Sequence, residues 1–315
     1  MTTAGTPPRQ ETLPVAPRSD VETGAPAVTV TAAPERRSNW LTLAMLALLI
    51  YFFLPLFWIV IAATKSTRDL YSSFGLWFSG HFSLWSNIRG TFTYNDGVYG
   101  RWMLNTLFYS VVSAGGAALL AALGGYGFAK FRFPGNGKLF NFVLGSIMVP
   151  TTALAIPTYL IFSQIDLVNT RWAIILPSLA SPFGLYLMRV YAEDGVPDSI
   201  VEAARMDGAG ELRIFFQIAL RMLAPGFVTV LLFNLVATWN NYFLPLIMLN
   251  DPDLYPITVG LATWASQSQG GGGSTGQLLA LVITGSLMSI IPLIAAFLLL
   301  SRYWQSGLAA GGVKQ

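Results

Sequence analysis

The residue types that most often carry chemistry are scarce in this sequence. Cysteine is absent, so thiolate metal sites and a cysteine nucleophile are excluded. The single histidine, His81, has no second histidine with which to form a metal site, and we interpret it as a loop residue. A G-x-x-x-x-G-K-[ST] loop for nucleotide phosphates does not occur either. We therefore expect no catalytic residue, no metal site and no cofactor in this chain.

Charged side chains instead concentrate in one stretch, residues 189–221. It holds six acidic and four basic residues, although only 10% of the chain is charged. Pro197 and Asp198 predict the start of a helix, with the Asp198 carboxylate capping free N–H groups. Gly208 predicts its end, as the first residue past the helix. A segment this polar must face water or another protein.

The same short helix is expected to have one small, mostly apolar face. Ile200, Ala203, Ala204 and Asp207 follow the spacing i, i+3, i+4, i+7. A face built largely of alanine suits insertion into a shallow cleft. A second helical pattern comes next and would lie along a membrane surface or the base of a helix bundle. Its members are Leu212, Phe215, Phe216, Ala219, Leu220 and Leu223.

A group of polar and aromatic residues interrupts a hydrophobic run near residue 240. Its members are Asn234, Thr238, Trp239, Asn240, Asn241 and Tyr242. Such side chains could line a pore and bind a solute by hydrogen bonds and stacking, or they could pack against neighbouring helices. The centres of the hydrophobic runs contain no ionisable residue, which argues against a proton or sodium relay and for a neutral solute.

The elements that must position these residues are membrane-spanning helices. Of the 315 residues, 54% are hydrophobic. Six apolar runs reach the length of about 20 residues that crosses a hydrocarbon core. They are residues 40–63, 105–129, 139–162, 172–191, 225–249 and 277–300. The expected fold is an all-α integral membrane protein with six transmembrane helices.

The distribution of Lys and Arg sets the orientation of these spans. Thirteen lie in the N-terminal tail, the second and fourth connections and the C-terminal end, against five in the first and third connections. The richer side is the cytoplasmic one, so both termini and the charged stretch are predicted to lie in the cytoplasm. No basic stripe interleaved with aromatics occurs, so nucleic acid is not an expected partner.

The remaining segments differ in composition. Residues 1–38 have no periodic apolar face and are predicted to be a disordered cytoplasmic tail, followed by the membrane domain at 39–315. The first external connection, about residues 64–104, is long and rich in aromatics. It is either a segment lying at the membrane interface or a docking surface for an external partner. The glycine run at 270–273 is assigned no chemistry.

The charged stretch also carries a family resemblance. The segment EAARMDGAGELRIFFQIAL, residues 202–220, resembles the EAA signature of ABC importer permeases: E-A-A, three residues, G, nine residues, I, one residue, L-P. Only the last position departs, because Arg221 stands where the family usually has proline. The segments VPDSIVEAARMDGAG, TWNNYFLPLIML and RYWQSGLAAGGVK are similar to its carbohydrate-uptake, MalG-like branch. The resemblance covers about residues 40–315.

The resemblance implies one subunit of a type I ABC importer in the inner membrane, forming half of a pore that moves a sugar or oligosaccharide by alternating access. It makes residues 192–222 the coupling loop. The residues expected to contact the ATPase are Glu202, Ala203, Ala204, Asp207 and Gly208. Implied partners are a second, nonidentical permease, a pair of cytoplasmic ATPase subunits holding ATP and Mg, an external solute-binding protein and membrane lipids. The alternatives are a stand-alone secondary transporter or channel, or a membrane scaffold.

Overall fold

The computed structural model describes residues 39–269 and 275–311. The predicted tail at 1–38 and the glycine run at 270–273 lie outside the described residues. Contacts divide the chain into residues 1–49 and 50–315, and the described part of the first unit is the beginning of the first helix. Across the two described ranges the regular secondary structure is helical and no strand occurs.

The helices of the described residues have the following bounds. They are α1 (Asn39–Ala63), α2 (Thr67–Ser72), α3 (Leu84–Thr93), α4 (Val98–Lys130), α5 (Asn136–Ser146), α6 (Ala155–Gln164), α7 (Trp172–Ser178), α8 (Pro182–Gly195), α9 (Asp198–Met206), α10 (Glu211–Ile214), α11 (Leu220–Met222), α12 (Ala224–Trp239), α13 (Phe243–Met248), α14 (Ile257–Gln269) and α15 (Thr275–Gly311). A π-helical turn, Phe215–Ala219, separates α10 from α11, and a 3-10 turn, Pro252–Leu254, precedes α14.

The expectation of six transmembrane helices is only partly met. Within the described residues, four helical segments are long and apolar enough to span a membrane. They are Asn39–Ala63, Val98–Lys130, Trp172–Gly195 and Gln277–Ser301. A fifth is counted if Glu211–Met222 and Ala224–Trp239, which meet at an angle of 82°, form one broken span. The fold is all-α with four or five candidate spans.

Helix breaks explain the difference from six continuous spans. The third predicted run, 139–162, is divided into α5 and α6, of 11 and 10 residues, by the turns at 147–154. Pro150 lies in these turns, and proline removes a helical hydrogen bond and clashes with the preceding turn. The fifth predicted run stops at Trp239 and resumes at Phe243.

Helix α4 is the central packing element of the unit formed by residues 50–315. Its buried side chains are mostly small, among them Ala114, Ala117, Ala118, Ala121 and Ala122. These residues let α8 and α12 pack directly against it, as small interfacial residues do in membrane bundles. The closest approach to the backbone of α8 is at Gly125, where a Cβ would lie 2.5 Å from the backbone nitrogen of Arg189.

The first turns of α4 fix residues 250–257 through side-chain hydrogen bonds to their backbone. Trp102 Nε1 donates to the Pro252 carbonyl (3.0 Å), and Tyr109 Oη donates to the Leu254 carbonyl (2.8 Å). Asn105 Nδ2 donates to two further carbonyls of this segment, and Thr106 Oγ1 accepts from its last N–H group. These four buried side chains of α4 thus bond to an irregular segment rather than to water.

Replacing Gly125 by alanine is expected to destabilise the fold. The added methyl group meets backbone atoms of α8, which cannot move aside as a side chain can, and overpacking of this kind costs about 1–3 kcal/mol. The measurement is the thermal unfolding midpoint of the purified protein together with its abundance in the membrane. The matched control is Gly115→Ala in the same helix, because no heavy atom lies within 4 Å of a Cβ there. Equal midpoints for the two variants would show that α4 and α8 are farther apart than described.

Candidate functional site

Helix α9, the centre of the charged stretch, begins differently from the expected capped start. The residue before it is Pro197, and no side chain caps its first N–H groups. The predicted capping by Asp198 is wrong, because the Asp198 carboxylate instead accepts a hydrogen bond from Lys130 Nζ at 2.7 Å. This bond and the positive charge of Lys130 lower the pKa of the Asp198 carboxyl below its usual value. Lys130 is the last residue of α4 and its side chain is 7% exposed, so the pair ties the start of α9 to the end of α4.

The end of α9 has the geometry that Gly208 predicts. Gly208 has a φ of 79°, its N–H donates to the Arg205 carbonyl, and the Ala209 N–H donates to the Ala204 carbonyl, both at 3.0 Å. These two bonds form a Schellman turn, in which a left-handed residue satisfies the last carbonyls of a helix. Across the turn the Arg205 guanidinium donates to both carboxylate oxygens of Glu211, at 2.6 and 3.2 Å. The turn is therefore closed by backbone and side-chain bonds together.

The buried face of α9 is rotated from the predicted one. Val201 and Ala204 are buried, in one cluster with Ile214 and Phe215 of the following helical turns. Ala204 is therefore shielded by its own chain, which corrects its expected place on a free docking face. The sequence pattern gave no way to distinguish an alanine packed against this chain from one left for a partner.

The rest of the predicted docking residues are exposed. Glu202, Ala203, Asp207 and Gly208 all lie at the surface of α9 and its turn. Met206 joins them, at 88% exposure, and was missed because it lies outside the predicted apolar spacing. Glu202 also lines a polar recess, and basic side chains line the same recess. The recess is formed by Ala129, Lys130, Arg132, Asp198, Val201, Glu202 and Arg205.

The second helical pattern of the charged stretch contains a π-helical turn. Phe215 and Ala219 are buried there, whereas Leu212 and Phe216 of the same predicted pattern are exposed. The extra residue of a π turn shifts the register of the helix, so side chains at regular α-helical spacing do not share one face. The chain then bends at Leu223 into α12, with Pro225 in its first turn. Arg221, in the position of the family's proline, is exposed and does not prevent this bend.

A cavity of about 1070 Å³ lies where three helix breaks meet. The breaks are residues 147–154 between α5 and α6, 179–181 between α7 and α8, and 240–242 between α12 and α13. Of the predicted group, five residues line this cavity: Asn234, Thr238, Asn240, Asn241 and Tyr242. Trp239 does not line it and is only 5% exposed, because it is on the buried side of the last turn of α12.

Two of the lining amides are already engaged. Asn234 Nδ2 donates to Ser181 Oγ (3.1 Å) and the Val230 carbonyl, and Asn240 Nδ2 donates to the Val236 carbonyl. Asn241 is fixed through its backbone, since its carbonyl accepts from Thr258 Oγ1 at 2.8 Å. Among the described residues, the side-chain amide of Asn241 and the hydroxyl of Tyr242 form no hydrogen bond to another group. Both side chains are available to a solute.

Other polar lining residues were not among the sequence candidates. Thr151, Thr152 and Thr158 come from the broken third run, and Ser178 and Ser181 come from the break before α8. Pro150 and Pro182 were the available signal, because a proline beside hydroxyl residues in an apolar run marks backbone that leaves the helix. In the two described ranges of the chain, no three His, Asp or Glu side chains are grouped so that they could hold a metal ion.

Comparison with known proteins decides the family. Residues 116–305 match the model of the binding-protein-dependent transport system inner membrane component. The chain belongs to this family. It is therefore a multi-pass, non-catalytic permease component of the cell membrane, and the resemblance to ABC importer permeases is confirmed. Membership of this family supports a permease subunit and not the alternative hypothesis of a stand-alone secondary transporter or channel.

The similar proteins include permeases of sugar uptake systems. The arabinooligosaccharides transport system permease AraQ of Bacillus subtilis is 30% identical over 275 residues, covering 87% of this chain and 95% of that protein. The maltodextrin transport system permease MdxG of the same organism is 32% identical over 245 residues, with coverages of 77% and 84%. A solved bacterial ABC transporter involved in the import of the acidic polysaccharide alginate aligns with a TM-score of 0.73 at 23% identity, over 84% of this chain and 95% of that one. This likeness supports the fold.

The cavity is expected to be filled with water, because polar side chains and open backbone line it. A single cysteine at Asn241, in a chain that has no other, should react with a hydrophilic maleimide added to open membranes. Ser113→Cys is the control, since Ser113 is fully buried in α4 and should stay unlabelled until the protein is denatured. The readout is the labelled fraction by mass spectrometry. Equal rates at the two positions would contradict an accessible cavity.

Proposed function

We propose that this permease forms half of the translocation pore of an ATP-driven importer for a sugar or oligosaccharide. The observation that carries the proposal is the exposed end of α9. Ala203, Met206 and Gly208 are exposed there, and backbone hydrogen bonds within the chain hold the turn in place. A fixed turn that exposes two small residues beside a methionine suits a groove on another protein. This chain carries no phosphate-binding loop, so a separate pair of ATPase subunits holding ATP and Mg would supply the energy.

Helix α9 would be the coupling helix, in a cytoplasmic loop at residues 192–222. Glu202, Ala203, Asp207 and Gly208 would contact the ATPase, and Ala204 would instead support the helix from inside. Force would pass from α9 into the bundle by two routes. One is the bond between Asp198 and Lys130 of α4. The other is the buried cluster that joins Val201 and Ala204 to Met188 of α8 and Tyr126 of α4.

The solute path would run through the cavity at the three helix breaks. Irregular backbone at membrane depth is stable where it is buried in protein or lines a water-filled space, and discontinuous helices mark binding sites in many transporters. In this proposal α5 and α6 cross the membrane together as one broken span, which restores six crossings and puts both termini on the same side. The distribution of Lys and Arg favours the cytoplasm for that side. A second, nonidentical permease would complete the pore, and an external binding protein would deliver the solute.

A neutral sugar fits the lining best. None of the residues that line the cavity, all within the described ranges, carries a charge. Asn241 could exchange hydrogen bonds with sugar hydroxyls, and the Tyr242 ring could stack on a sugar face. The relatives named for arabinooligosaccharides and maltodextrin belong to transport systems for sugars of this general type. Asn234 and Asn240 would help to stabilise the chain at the helix breaks through their hydrogen bonds, and Trp239 would be a packing residue.

Purification of the intact assembly tests the function. A tagged copy of the full chain, extracted from its native membrane in mild detergent, should bring down a P-loop ATPase and one second permease in fixed stoichiometry. Its ATP hydrolysis should rise severalfold when binding protein loaded with sugar is added, and unloaded binding protein should stimulate less. Isolation of the chain alone, together with sugar uptake that proceeds without ATP, would overturn the proposal.

Gly208→Leu tests the coupling role. No heavy atom lies within 4 Å of a Cβ at Gly208, so within this chain the cost is the left-handed backbone, about 1–2 kcal/mol. At the ATPase the added side chain would obstruct seating, and uptake should be lost while the permease still inserts and pairs with its membrane partner. ATPase retention in a pull-down and stimulation by loaded binding protein are the readouts.

Gly210→Leu is the matched control for Gly208→Leu. It adds the same volume two residues later, at a φ of −71° and with no neighbour within 4 Å. It should retain most of the uptake and the ATPase. Normal retention and stimulation in Gly208→Leu would rule out the role given to this turn.

A further inference from the structure

The connection between α1 and α4 carries a set of aromatic side chains turned away from the described part of the chain. The exposed ones at residues 71–85 are Tyr71, Phe74, Trp77, Phe78, Phe82 and Trp85. Trp85 reaches 74% exposure. Exposed aromatics in such number are unusual on a surface that faces water, and a contiguous apolar patch marks a site of contact with a partner or a membrane.

Hydrogen bonds hold this connection in a defined fold. Lys65 is 1% exposed, and its ammonium group donates to the Phe74 carbonyl at 2.7 Å. The Ser83 N–H donates to the Thr64 carbonyl at 2.7 Å. Asn87 Nδ2 donates to the Ala63 and Lys65 carbonyls, both at 2.9 Å. The connection is thus closed back onto the end of α1, and the aromatics project from a fixed support.

The inner side of the connection is aliphatic. Leu70 and Leu84 pack in one cluster with Ala62 and Ala63 of α1 and with Ile283 of α15. A cap that faced water would place polar residues on its outer side. Here the leucines fill the inner side and the aromatics occupy much of the outer one, so apolar side chains lie on both sides of the segment.

The connection also returns toward the membrane. A Cβ on Gly75 would lie 3.9 Å from Trp58 Nε1, and Trp58 comes five residues before the end of α1. Five residues are about 7.5 Å along a helix axis, so the Phe74–Gly75 turn lies about that far back from the helix end. Interfacial segments are buried to a similar depth, about 5–10 Å, at the boundary of headgroups and acyl chains.

We propose that residues 66–92 form an interfacial anchor whose outer aromatics insert between phospholipid headgroups and upper acyl chains where α1 ends. Tyr and Trp favour this layer because their rings are apolar and their N–H or O–H groups can meet water. The exposed guanidinium groups of Arg68 and Arg89 suit lipid phosphates. The aromatic surface continues the exposed apolar side chains of α1, such as Phe57 and Trp58, which favours lipid over an external protein.

Spin labels at single cysteines test this anchor. The chain contains no cysteine, so Trp77→Cys, Phe82→Cys and Trp85→Cys each create one labelling site. The complex is reconstituted in phospholipid vesicles, and collision of each label with oxygen and with a water-soluble nickel chelate is measured. Phe52→Cys in the middle of α1 is the hydrocarbon reference, and Asn250→Cys in an exposed loop is the aqueous one. The unaltered complex, labelled in parallel, corrects for cysteines in its partners.

At the three aromatic positions the ratio of oxygen to nickel collisions should be severalfold above that at Asn250 and below that at Phe52. Loaded binding protein should leave this ratio unchanged. A ratio equal to that at Asn250 overturns the anchor. A fall in both collision rates when loaded binding protein is added overturns it as well, because that result assigns the surface to protein docking.

A second measurement does not depend on labels. Shallow-brominated phospholipids should quench part of the tryptophan fluorescence of the wild-type complex, and the double variant Trp77→Phe, Trp85→Phe should show a smaller quenched fraction while it keeps uptake. An unchanged quenched fraction would refute the anchor. The inference depends on the membrane location of the chain and not on its transport role. Failure of the ATPase to co-purify would therefore leave it standing, and failure of the anchor would leave the transport proposal standing.

Discussion

Backbone N–H and C=O groups that leave a helix inside a membrane must find partners within the protein, because lipid offers none. The arrangement of residues 147–154, 179–181 and 240–242 follows from this constraint. The three breaks lie together, and hydroxyl and amide side chains of the same region bind to their backbone, as Thr258 does with the Asn241 carbonyl. Grouping the breaks confines irregular structure to one place and leaves a cavity between them that hydroxyl and amide groups line in part.

The small residues of α4 have a matching role at the level of packing. A helix that carries alanine and glycine on its buried side lets α8 and α12 come close, so that the bundle is held by many short contacts. Contacts of this kind resist deformation of a single helix and favour movement of the helices as a group. In the proposed coupling, the exposed part of α9 would act on the bundle as a whole, because its buried side belongs to the same cluster as α4 and α8.

Much of this architecture was predictable from local patterns. The apolar runs, the EAA segment and the helix end at Gly208 depend on composition, spacing and backbone conformation, all of which are written in the sequence. Contacts between residues that are distant in the sequence were not predictable in the same way. Asp198 binds Lys130, 68 residues earlier, instead of its own helix. Ala204 is buried where Ala203 is exposed, and a π-helical turn changes the register of the residues that follow. The site residues missed at 151, 152 and 181 became neighbours only through folding.

The length of α4 links events on the two faces of the membrane. It runs without interruption for 33 residues, about 50 Å at 1.5 Å per residue. One end holds the segment at 250–257 and the other end is bonded to Asp198. A rod attached at both ends cannot tilt at one face without moving the other. For the proposed ATP-driven importer this has a practical value, since a pore open on both sides at once would let the accumulated solute flow back out.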